Sequence, residues 1–242
     1  MSLFDSWLVN KYIAHRGFHN DENPENTLGA FNLAVENGFA VELDVQQISD
    51  GTIVVFHDDR LCRLTGKDGY LKNLKKEDLS SCHILNTKYT IPTLEEVLSA
   101  IDGKTPILIE IKNSGSKVGE LESALLRLLK DYKGEYAIQS FNPYVLEWFA
   151  HNAPQVLRGQ LSSFFKGTKM SIFRKYFLKR MFFNKIARPD FISYNAQDLP
   201  NRYVKKHKEL PLLAWTVNSQ SDYLKIAGCC DNIIFENFVP TI

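Results

Sequence analysis

The chain has 242 residues, 44% of them hydrophobic and 24% charged, and its formal net charge is +1. This composition suits a globular domain with a sizeable core, and the near-zero charge argues against nucleic acid as a partner. No apolar run reaches the roughly 18 residues that a membrane span requires. The first residues resemble no signal peptide, so we expect a cytoplasmic protein whose four cysteines are reduced.

Short apolar runs rich in β-branched residues alternate with amphipathic stretches along the chain. We predict strands over residues 12–15, 40–45, 53–57, 107–111, 136–140, 156–161, 191–194, 212–217 and 232–235. We predict helices over residues 27–37, 93–101, 118–131, 143–152 and 201–208. This α/β alternation predicts a TIM-type (β/α)8 barrel, with an open doubly wound sheet as the alternative.

The domain organisation follows from the same pattern. We expect residues 1–242 to form one barrel domain, since barrels of this length fold as single units. Residues 58–92, after the third predicted strand, carry no clear barrel element. We therefore predict that they form a small insertion near the catalytic end of the barrel.

The second and third predicted strands are too close in sequence for a parallel crossover, so they predict a hairpin. Asp50-Gly51 is a strong signal for a two-residue turn. With these two residues as the turn, Asp44 lies opposite His57, and Glu42 lies on the same face of the sheet. The hairpin therefore predicts that two carboxylates and an imidazole converge.

Three acidic side chains, Glu42, Asp44 and Glu110, stand in or at the end of apolar runs. Three carboxylates facing one cavity would repel each other unless a cation lies among them. Oxygen ligands of this kind favour Mg²⁺ or Ca²⁺ over zinc. We predict a divalent metal site here, and the alternative is that these carboxylates are solvated partners of lysine or arginine.

Histidine and basic side chains stand beside the acidic ones. We predict that His15 and His57 are acid–base catalysts, because imidazole titrates near neutral pH. Arg16 and Lys112 carry positive charges suited to phosphate oxygens. Trp215 ends an apolar strand and could form an apolar wall for a glycerol moiety or belong to the core.

The ordered series of motifs resembles the glycerophosphodiester phosphodiesterase family over about residues 12 to 235. The matching motifs are His15-Arg16-Gly17, Glu25-Asn26-Thr27, Glu42 with Asp44, His57-Asp58, Glu110 with Lys112, Gln139-Ser140-Phe141 and Trp215–Asn218. The resemblance implies a phosphodiesterase-type TIM barrel that hydrolyses glycerophosphodiesters to glycerol 3-phosphate and an alcohol. It implies a metal on the three carboxylates, catalysis by the two histidines, and phosphate contacts from Arg16 and Lys112.

Two alternatives to this function remain at the level of sequence. One is a phospholipase D-like hydrolase that shares the metal and histidines but acts on lysophospholipids at a membrane surface. The other is a non-catalytic barrel that binds phosphate esters. The preferred alcohol group, the choice between Mg²⁺ and Ca²⁺, and the oligomeric state are not predicted.

Residues 166–188 hold eight basic residues, no acidic residue and several aromatic ones; we call them the basic segment. One interpretation is an amphipathic helix that lies on an anionic bilayer. The other, which the burial requirement of barrel helices favours, is a helix whose apolar face packs inward while its lysines are solvated.

Overall fold

The computed structural model describes residues 2–113 and 117–241. Within these ranges it contains each of the predicted strands, with ends that agree to within two residues. They are β1 (Ile13–Ala14), β2 (Ala40–Gln47), β3 (Ile53–Val55), β4 (Ile107–Ile111), β5 (Tyr136–Ser140), β6 (Leu157–Ser162), β7 (Phe191–Asn195), β8 (Leu212–Val217) and β9 (Asn232–Phe235).

Helices separate most of the strands. They are α1 (Trp7–Asn10), α2 (Leu28–Glu36), α3 (Cys62–Thr65), α4 (Leu94–Ile101), α5 (Glu120–Leu129), α6 (Pro143–Asn152), α7 (Ile172–Leu178), α8 (Asn184–Ala187) and α9 (Gln220–Ile226). Four of the five predicted helices are confirmed as α2, α4, α5 and α6. Local chemistry fixes their starts; for example, Thr93 accepts a hydrogen bond from the Glu96 backbone N–H, and the Glu96 carboxylate accepts one from the Thr93 N–H.

The predicted helix over residues 201–208 is wrong, because only a 3₁₀ turn at Val204–Lys206 forms there. The side-chain oxygen of Asn201 accepts hydrogen bonds from the backbone N–H groups of Tyr203 and Val204. An asparagine that satisfies nearby backbone donors in this way offers the chain an alternative to a continuous helix.

The strands follow the order β1-β9-β8-β7-β6-β5-β4-β2-β3, and β1 also pairs with β2. Neighbours in this series such as β2 and β4, β6 and β7, and β8 and β9 are parallel. This order, with helices between the strands, is that of an eight-stranded parallel barrel, so the predicted (β/α)8 fold is confirmed. β3 is the extra strand, and it pairs antiparallel with β2.

The chain divides into two compact units. One unit spans residues 14–136 and contains β2, β3 and β4 with α2 to α5. The other combines residues 1–13 with residues 137–242 and contains β5 to β9. Each unit has its own buried apolar side chains, such as Phe31 and Phe56 in the first and Phe149 and Phe191 in the second.

The predicted register of the β2–β3 hairpin is wrong by one residue. Val45 pairs with Val55 and Gln47 with Ile53, so Asp44 lies opposite Phe56 rather than His57. The loop contains three residues instead of two, because Ile48 N–H donates to Thr52 O at 3.0 Å. Gly51 closes this loop with a φ of +88°, a left-handed conformation that glycine adopts without steric cost.

Residues 58–92, which we predict to be an insertion, contain no barrel strand among their described elements. These elements are α3, two short 3₁₀ helices and isolated bridges, including Arg60 with Tyr70. The apolar side chains of this stretch form a core of their own together with side chains of the β2–β3 hairpin. This core contains Ile48, Val54, Phe56, Leu61, Leu64, Leu71, Leu79, Cys82, Ile84 and Ile91.

The basic segment forms two short helices, α7 and α8, instead of one long helix. No residue of α7 is buried, so the interpretation of a helix with an inward apolar face is wrong for α7. Met181, between the two helices, is buried in a cluster with Ile192, Tyr194 and Val204. Among the residues that the structure describes, no helix is long and apolar enough to cross a bilayer.

Candidate active site

Three carboxylates converge at the adjoining strands β2 and β4. Glu42 and Asp44 are two residues apart on β2 and so point to the same face, while Asp44 is the direct register partner of Glu110 on β4. Glu42 and Asp44 are each 1% exposed, and oxygens of all three residues lie within 4.8 Å of one another. We call these three residues the acidic cluster.

The two buried members of the acidic cluster have pKa values that are shifted in opposite directions. Burial, followed by the charges of Asp44 and Glu110, raises the pKa of Glu42 well above its ordinary value. Burial also acts to raise the pKa of Asp44, but the charges of Lys112 and Arg16 outweigh it and hold that pKa below its usual range. The cluster therefore has a strong excess of negative potential at Glu42, which a bound cation would relieve.

Two basic side chains partly balance the acidic cluster. Arg16 Nε lies 3.2 Å from an Asp44 oxygen. Lys112 Nζ lies 3.1 Å from a Glu110 oxygen and 3.5 Å from an Asp44 oxygen. Burial acts to lower the pKa of Lys112, but Glu110 and Asp44 raise it overall, so both side chains carry their charge.

A tight turn after β1 places Arg16. Gly17 has a φ of +82°, and a Cβ there would lie 2.8 Å from the backbone of Ala30, so only glycine fits without displacing α2. The turn directs the Arg16 backbone N–H to a Glu42 oxygen at 3.0 Å. Arg16 thus contacts the cluster through both its backbone and its guanidinium group.

Asn26 orients the central carboxylate of the cluster. It is fully buried, and its amide nitrogen donates to an Asp44 oxygen at 2.9 Å. Its backbone N–H donates to Arg16 O at 2.9 Å. The sequence indicated only that Asn26 could orient a ligand or a carboxylate, and the structure identifies the carboxylate as Asp44.

The two histidines lie near the same carboxylate. The charges of His57 and His15 both contribute to the lowered pKa of Asp44. His57 reaches this position although the hairpin register was predicted wrongly, because β3 ends at Val55 and the chain then leaves the strand. Gln46 fixes this departure by donating to the carbonyl oxygens of Phe56 and His57 at 2.8 and 3.1 Å.

Arg63, on α3 of the insertion, is a functional candidate that sequence reasoning missed. Its guanidinium group donates to both oxygens of Asp58 at 2.6 and 3.0 Å and to both oxygens of Glu25 at 2.7 and 2.9 Å. Glu25 in turn accepts from Arg16 at 2.6 Å, and Asp58 lies 2.6 Å from Nδ1 of His57. We call these residues the Arg63 network.

The Arg63 network determines the charge state of Asp58. Burial acts to raise the pKa of this carboxyl, but the hydrogen bonds with Arg63 and His57 lower it to about 2. An ionised Asp58 favours the tautomer of His57 that carries its proton on Nδ1, and Nε2 is then the ring nitrogen that can accept a proton. The sequence signal for this network is Arg63 itself, five positions after Asp58. This spacing brings the two side chains together only because the chain turns into α3 between them.

Trp215 belongs to the second unit, on β8. Its ring packs edge-on against Phe141 at 5.5 Å between centroids. Its indole N–H is buried and has no hydrogen-bond partner among the described residues. A buried donor without a partner is unusual in a folded protein. The Nε1–H group of Trp215 is therefore a candidate donor for the substrate-binding role predicted for this residue.

The first unit thus brings together a buried set of hard oxygen donors, two fixed cations and two imidazoles, one of them oriented by a carboxylate. Three oxygen donors within 4.8 Å of each other suit a hard divalent cation. The cations and imidazoles suit the binding of a phosphate ester and proton transfer at its P–O bond. Seven of the eight predicted site residues lie in this unit, and Trp215 is the eighth.

Comparison with known proteins agrees with this chemistry. Residues 15–238 match the model of the glycerophosphoryl diester phosphodiesterase family. A glycerophosphodiester phosphodiesterase of Bacillus subtilis is 27% identical over 93% of this chain and 83% of its own length. One from Caldanaerobacter subterraneus is 36% identical over 62% of this chain and 65% of its own.

Solved structures give the same result. An Oleispira antarctica phosphodiesterase, in complex with the product sn-glycerol-3-phosphate, has a TM-score of 0.77, 26% identity, and coverage of 95% of this chain and 93% of its own. The glycerophosphodiester phosphodiesterase of Thermotoga maritima has a TM-score of 0.72 and 28% identity, with 93% coverage of both chains. The chain therefore belongs to the glycerophosphoryl diester phosphodiesterase family, whose enzymes hydrolyse glycerophosphodiesters.

Proposed function

We propose that this chain hydrolyses glycerophosphodiesters to glycerol 3-phosphate and an alcohol in a metal-dependent reaction with histidine acid–base catalysis. The observation that carries the proposal is the buried acidic cluster, flanked within one unit by Arg16, Lys112 and the His57–Asp58 pair. The product held by the Oleispira antarctica relative supports the substrate class.

The acidic cluster has the donors for a divalent cation, Mg²⁺ or Ca²⁺. Glu42, Asp44 and Glu110 would hold it, because carboxylate oxygens are the ligands that these ions prefer. The ion would supply Lewis-acid stabilisation of the negative charge that develops on the phosphate oxygens. It would also oppose the burial and the repulsion from Asp44 and Glu110 that raise the pKa of Glu42.

Arg16 and Lys112 are assigned to the phosphate group. Their charges compensate Asp44 and Glu110. A cation bound to the cluster would take over part of this compensation and leave the two basic side chains to attract an anionic ester. The planar guanidinium group of Arg16 can bind two phosphate oxygens, while the Lys112 ammonium group acts as a point charge.

His15 and His57 are assigned to proton transfer. One imidazole takes a proton from the nucleophile, which is water or the glycerol 2-hydroxyl group, as the new bond to phosphorus forms. If the 2-hydroxyl group attacks, the first product is a cyclic phosphate, and water then opens the ring to give glycerol 3-phosphate. The other gives a proton to the alcohol oxygen as its bond to phosphorus breaks. For His57 the exchanging atom is Nε2, because Nδ1 faces Asp58 at 2.6 Å.

The assay for this proposal is release of glycerol 3-phosphate from glycerophosphocholine and glycerophosphoethanolamine. Treatment with EDTA should abolish turnover, and added Mg²⁺ or Ca²⁺ should restore it. Glu42→Gln should be inactive with either ion, whereas Glu95→Gln, an exposed carboxylate of the same unit, should match the unaltered protein. Full activity after exhaustive metal removal would contradict the metal site.

A second candidate substrate is a lysophospholipid, hydrolysed in a phospholipase D-like reaction by the same residues. The exposed aromatic and aliphatic side chains of the basic segment favour it, because they suit contact with lipid. Parallel assays of glycerophosphocholine and lysophosphatidylcholine decide between the two. A kcat/KM at least about tenfold higher for the lysolipid, equivalent to about 1.4 kcal/mol of transition-state binding, would make it the preferred substrate.

A further inference from the structure

We propose that the basic segment is a docking surface for an anionic lipid bilayer. Eight of the 29 lysine and arginine residues of the chain fall within residues 166–188, which contain no acidic residue. The proposal does not depend on the proposed reaction, because binding to vesicles is measured without turnover.

The first observation is an exposed apolar tip. Ile172 and Phe173, at the start of α7, are 84% and 80% exposed. Phe182, which follows the helix, is 61% exposed and contacts Phe177 edge-on at 5.2 Å between centroids. Side chains of this size are rarely left in water at adjacent positions, and such patches mark interaction sites.

The second observation is the state of the charges around that tip. Lys169 and Arg174, on either side of Ile172 and Phe173, are exposed. Within residues 2–113 and 117–241, the one basic side chain of the segment with an acidic partner is Lys166, which lies 2.8 Å from Asp198. Lys175 Nζ donates to Thr168 O at 2.8 Å, and Arg180 stacks on the Tyr176 ring. The other exposed basic side chains are available to a negatively charged surface; they are Lys169, Arg174, Lys185 and Arg188.

The third observation is that the segment is fixed at its base. Met181 is buried in the cluster with Ile192, Tyr194 and Val204. The Tyr194 hydroxyl donates to Lys179 O at 3.0 Å, and the Ser162 hydroxyl donates to Leu178 O at 3.0 Å. The apolar tip is thus presented outward by a supported base, which reduces the ordering cost of binding.

These features favour a bilayer over a single-stranded nucleic acid. Nucleic-acid surfaces combine basic groups with aromatic rings on which bases stack. Here one of the two most exposed apolar side chains of the segment is Ile172, which offers no ring for stacking but gains by insertion among acyl chains. Lysine and arginine next to such a tip attract anionic headgroups.

The test is cosedimentation of the full chain with vesicles. We expect binding to vesicles of phosphatidylcholine mixed with phosphatidylglycerol, weaker binding as salt rises, and little binding to phosphatidylcholine alone. The variant Lys169→Glu/Arg174→Glu should bind at least about tenfold more weakly, because each basic residue near an anionic surface strengthens binding about fivefold. The variant Ile172→Ser/Phe173→Ser should lose at least about tenfold through lost apolar burial.

Matched controls lie outside the segment. Lys130→Glu/Lys133→Glu makes the same change of charge at exposed sites, and Leu224→Ser removes an exposed apolar side chain that is 68% accessible. Both controls should bind vesicles like the unaltered protein, and all variants should keep its unfolding temperature. The proposal is overturned if the unaltered chain ignores anionic vesicles at low salt, if the controls lose binding equally, or if single-stranded RNA is bound and vesicles are not.

Discussion

The acidic cluster and the basic segment both bring like charges close together, but the first does so in the protein interior and the second at the surface. In the cluster, carboxylates that are 1% exposed are held against each other and partly balanced by Arg16 and Lys112. In the basic segment, exposed lysine and arginine side chains have almost no acidic partners among the described residues. The first arrangement concentrates charge for chemistry, and the second offers charge to a surface.

The difference matters because burial magnifies every charge. A carboxylate that is removed from water must find a partner or take up a proton, so the members of the acidic cluster are constrained one by one. An exposed lysine is screened by solvent and salt and contributes little to stability. Substitutions in the cluster should therefore alter folding and activity, whereas those in the basic segment should alter association alone.

The largest expected effect comes from the cluster itself. Asp44→Asn should reduce kcat/KM by at least about 10³-fold, because the several kcal/mol supplied by a bound metal would be lost. It should also lower the unfolding temperature, since the partly buried Arg16 and Lys112 would lose the carboxylate charge that they share. Activity assays and thermal unfolding in EDTA measure the two effects.

Glu42→Gln is the matched comparison within the cluster. It should be equally inactive, yet its metal-free unfolding temperature should be unchanged or higher, because Glu42 is the member whose ionised form is disfavoured. Added Mg²⁺ or Ca²⁺ should raise the unfolding temperature of the unaltered protein and of neither variant. Identical losses of stability in both variants would contradict our inference that the ionised form is favoured at Asp44 and disfavoured at Glu42.

The histidines come next. His15→Ala and His57→Ala should each lower kcat by at least about 10²-fold, the usual contribution of an acid–base group. The unfolding temperature should change little, because both imidazoles are only partly buried. His151→Ala, at an exposed histidine on α6 in the other unit, provides the control. Near-normal turnover of both variants would remove the histidines from the mechanism.

The same two regions show what the sequence could and could not predict. Alternation along β2 placed Glu42 and Asp44 on one face, and the helix–strand pattern gave the barrel, because both follow from local periodicity. The pairing of Asp44 with Glu110 depends on the parallel register of β2 and β4, which no local pattern specifies. Glu110 and Lys112 were predicted from their place at the end of an apolar run, and the motif resemblance implied the same roles.

The hairpin shows how local turn chemistry misleads. Asp50-Gly51 fits a two-residue turn, but Asp50 also accepts hydrogen bonds from the backbone N–H groups of Thr52 and Lys76. The second of these comes from the insertion, so a distant segment contributes to the turn that forms. His57 still reaches Asp44, because Gln46 holds the chain where it leaves β3.

For the basic segment, composition predicted the positive charge but not the division into two short helices. A single helix would have had to bury an apolar face, and the pattern alone could not show that α7 buries none of its residues and leaves Ile172 and Phe173 exposed. The break between α7 and α8 is set by tertiary burial of Met181. Tertiary contacts of this kind override local propensity and lie beyond one sequence.

A smaller effect is expected from Arg63, which is 46% exposed yet bonded to the less exposed carboxylates Glu25 and Asp58. Arg63→Met should lower kcat by about 10- to 100-fold, the usual range for a residue that orients a catalytic group, with little change in KM. Arg63→Lys should not restore activity, since one ammonium group cannot replace the planar guanidinium group that joins two carboxylates. Arg60→Met, at the neighbouring arginine stacked on Tyr70, should be indistinguishable from the unaltered enzyme.

The smallest effect concerns Asp58, which is 21% exposed and so stands between the buried cluster and the exposed basic segment. Its pKa is lowered to about 2 in the folded protein, against about 3.9 in an unfolded chain. The stability that its ionised form contributes is therefore fully present above about pH 4 and is lost as the pH falls toward 2. The difference in unfolding temperature between the unaltered protein and Asp58→Asn should shrink over that range.

Asp50→Asn provides the comparison, because Asp50 also has a lowered pKa but is fully solvated. The unfolding temperatures of the two variants are then compared as a function of pH. If they change in the same way, Asp58 stabilises the protein no more than a surface carboxylate does, despite its partial burial and its hydrogen bonds with Arg63 and His57.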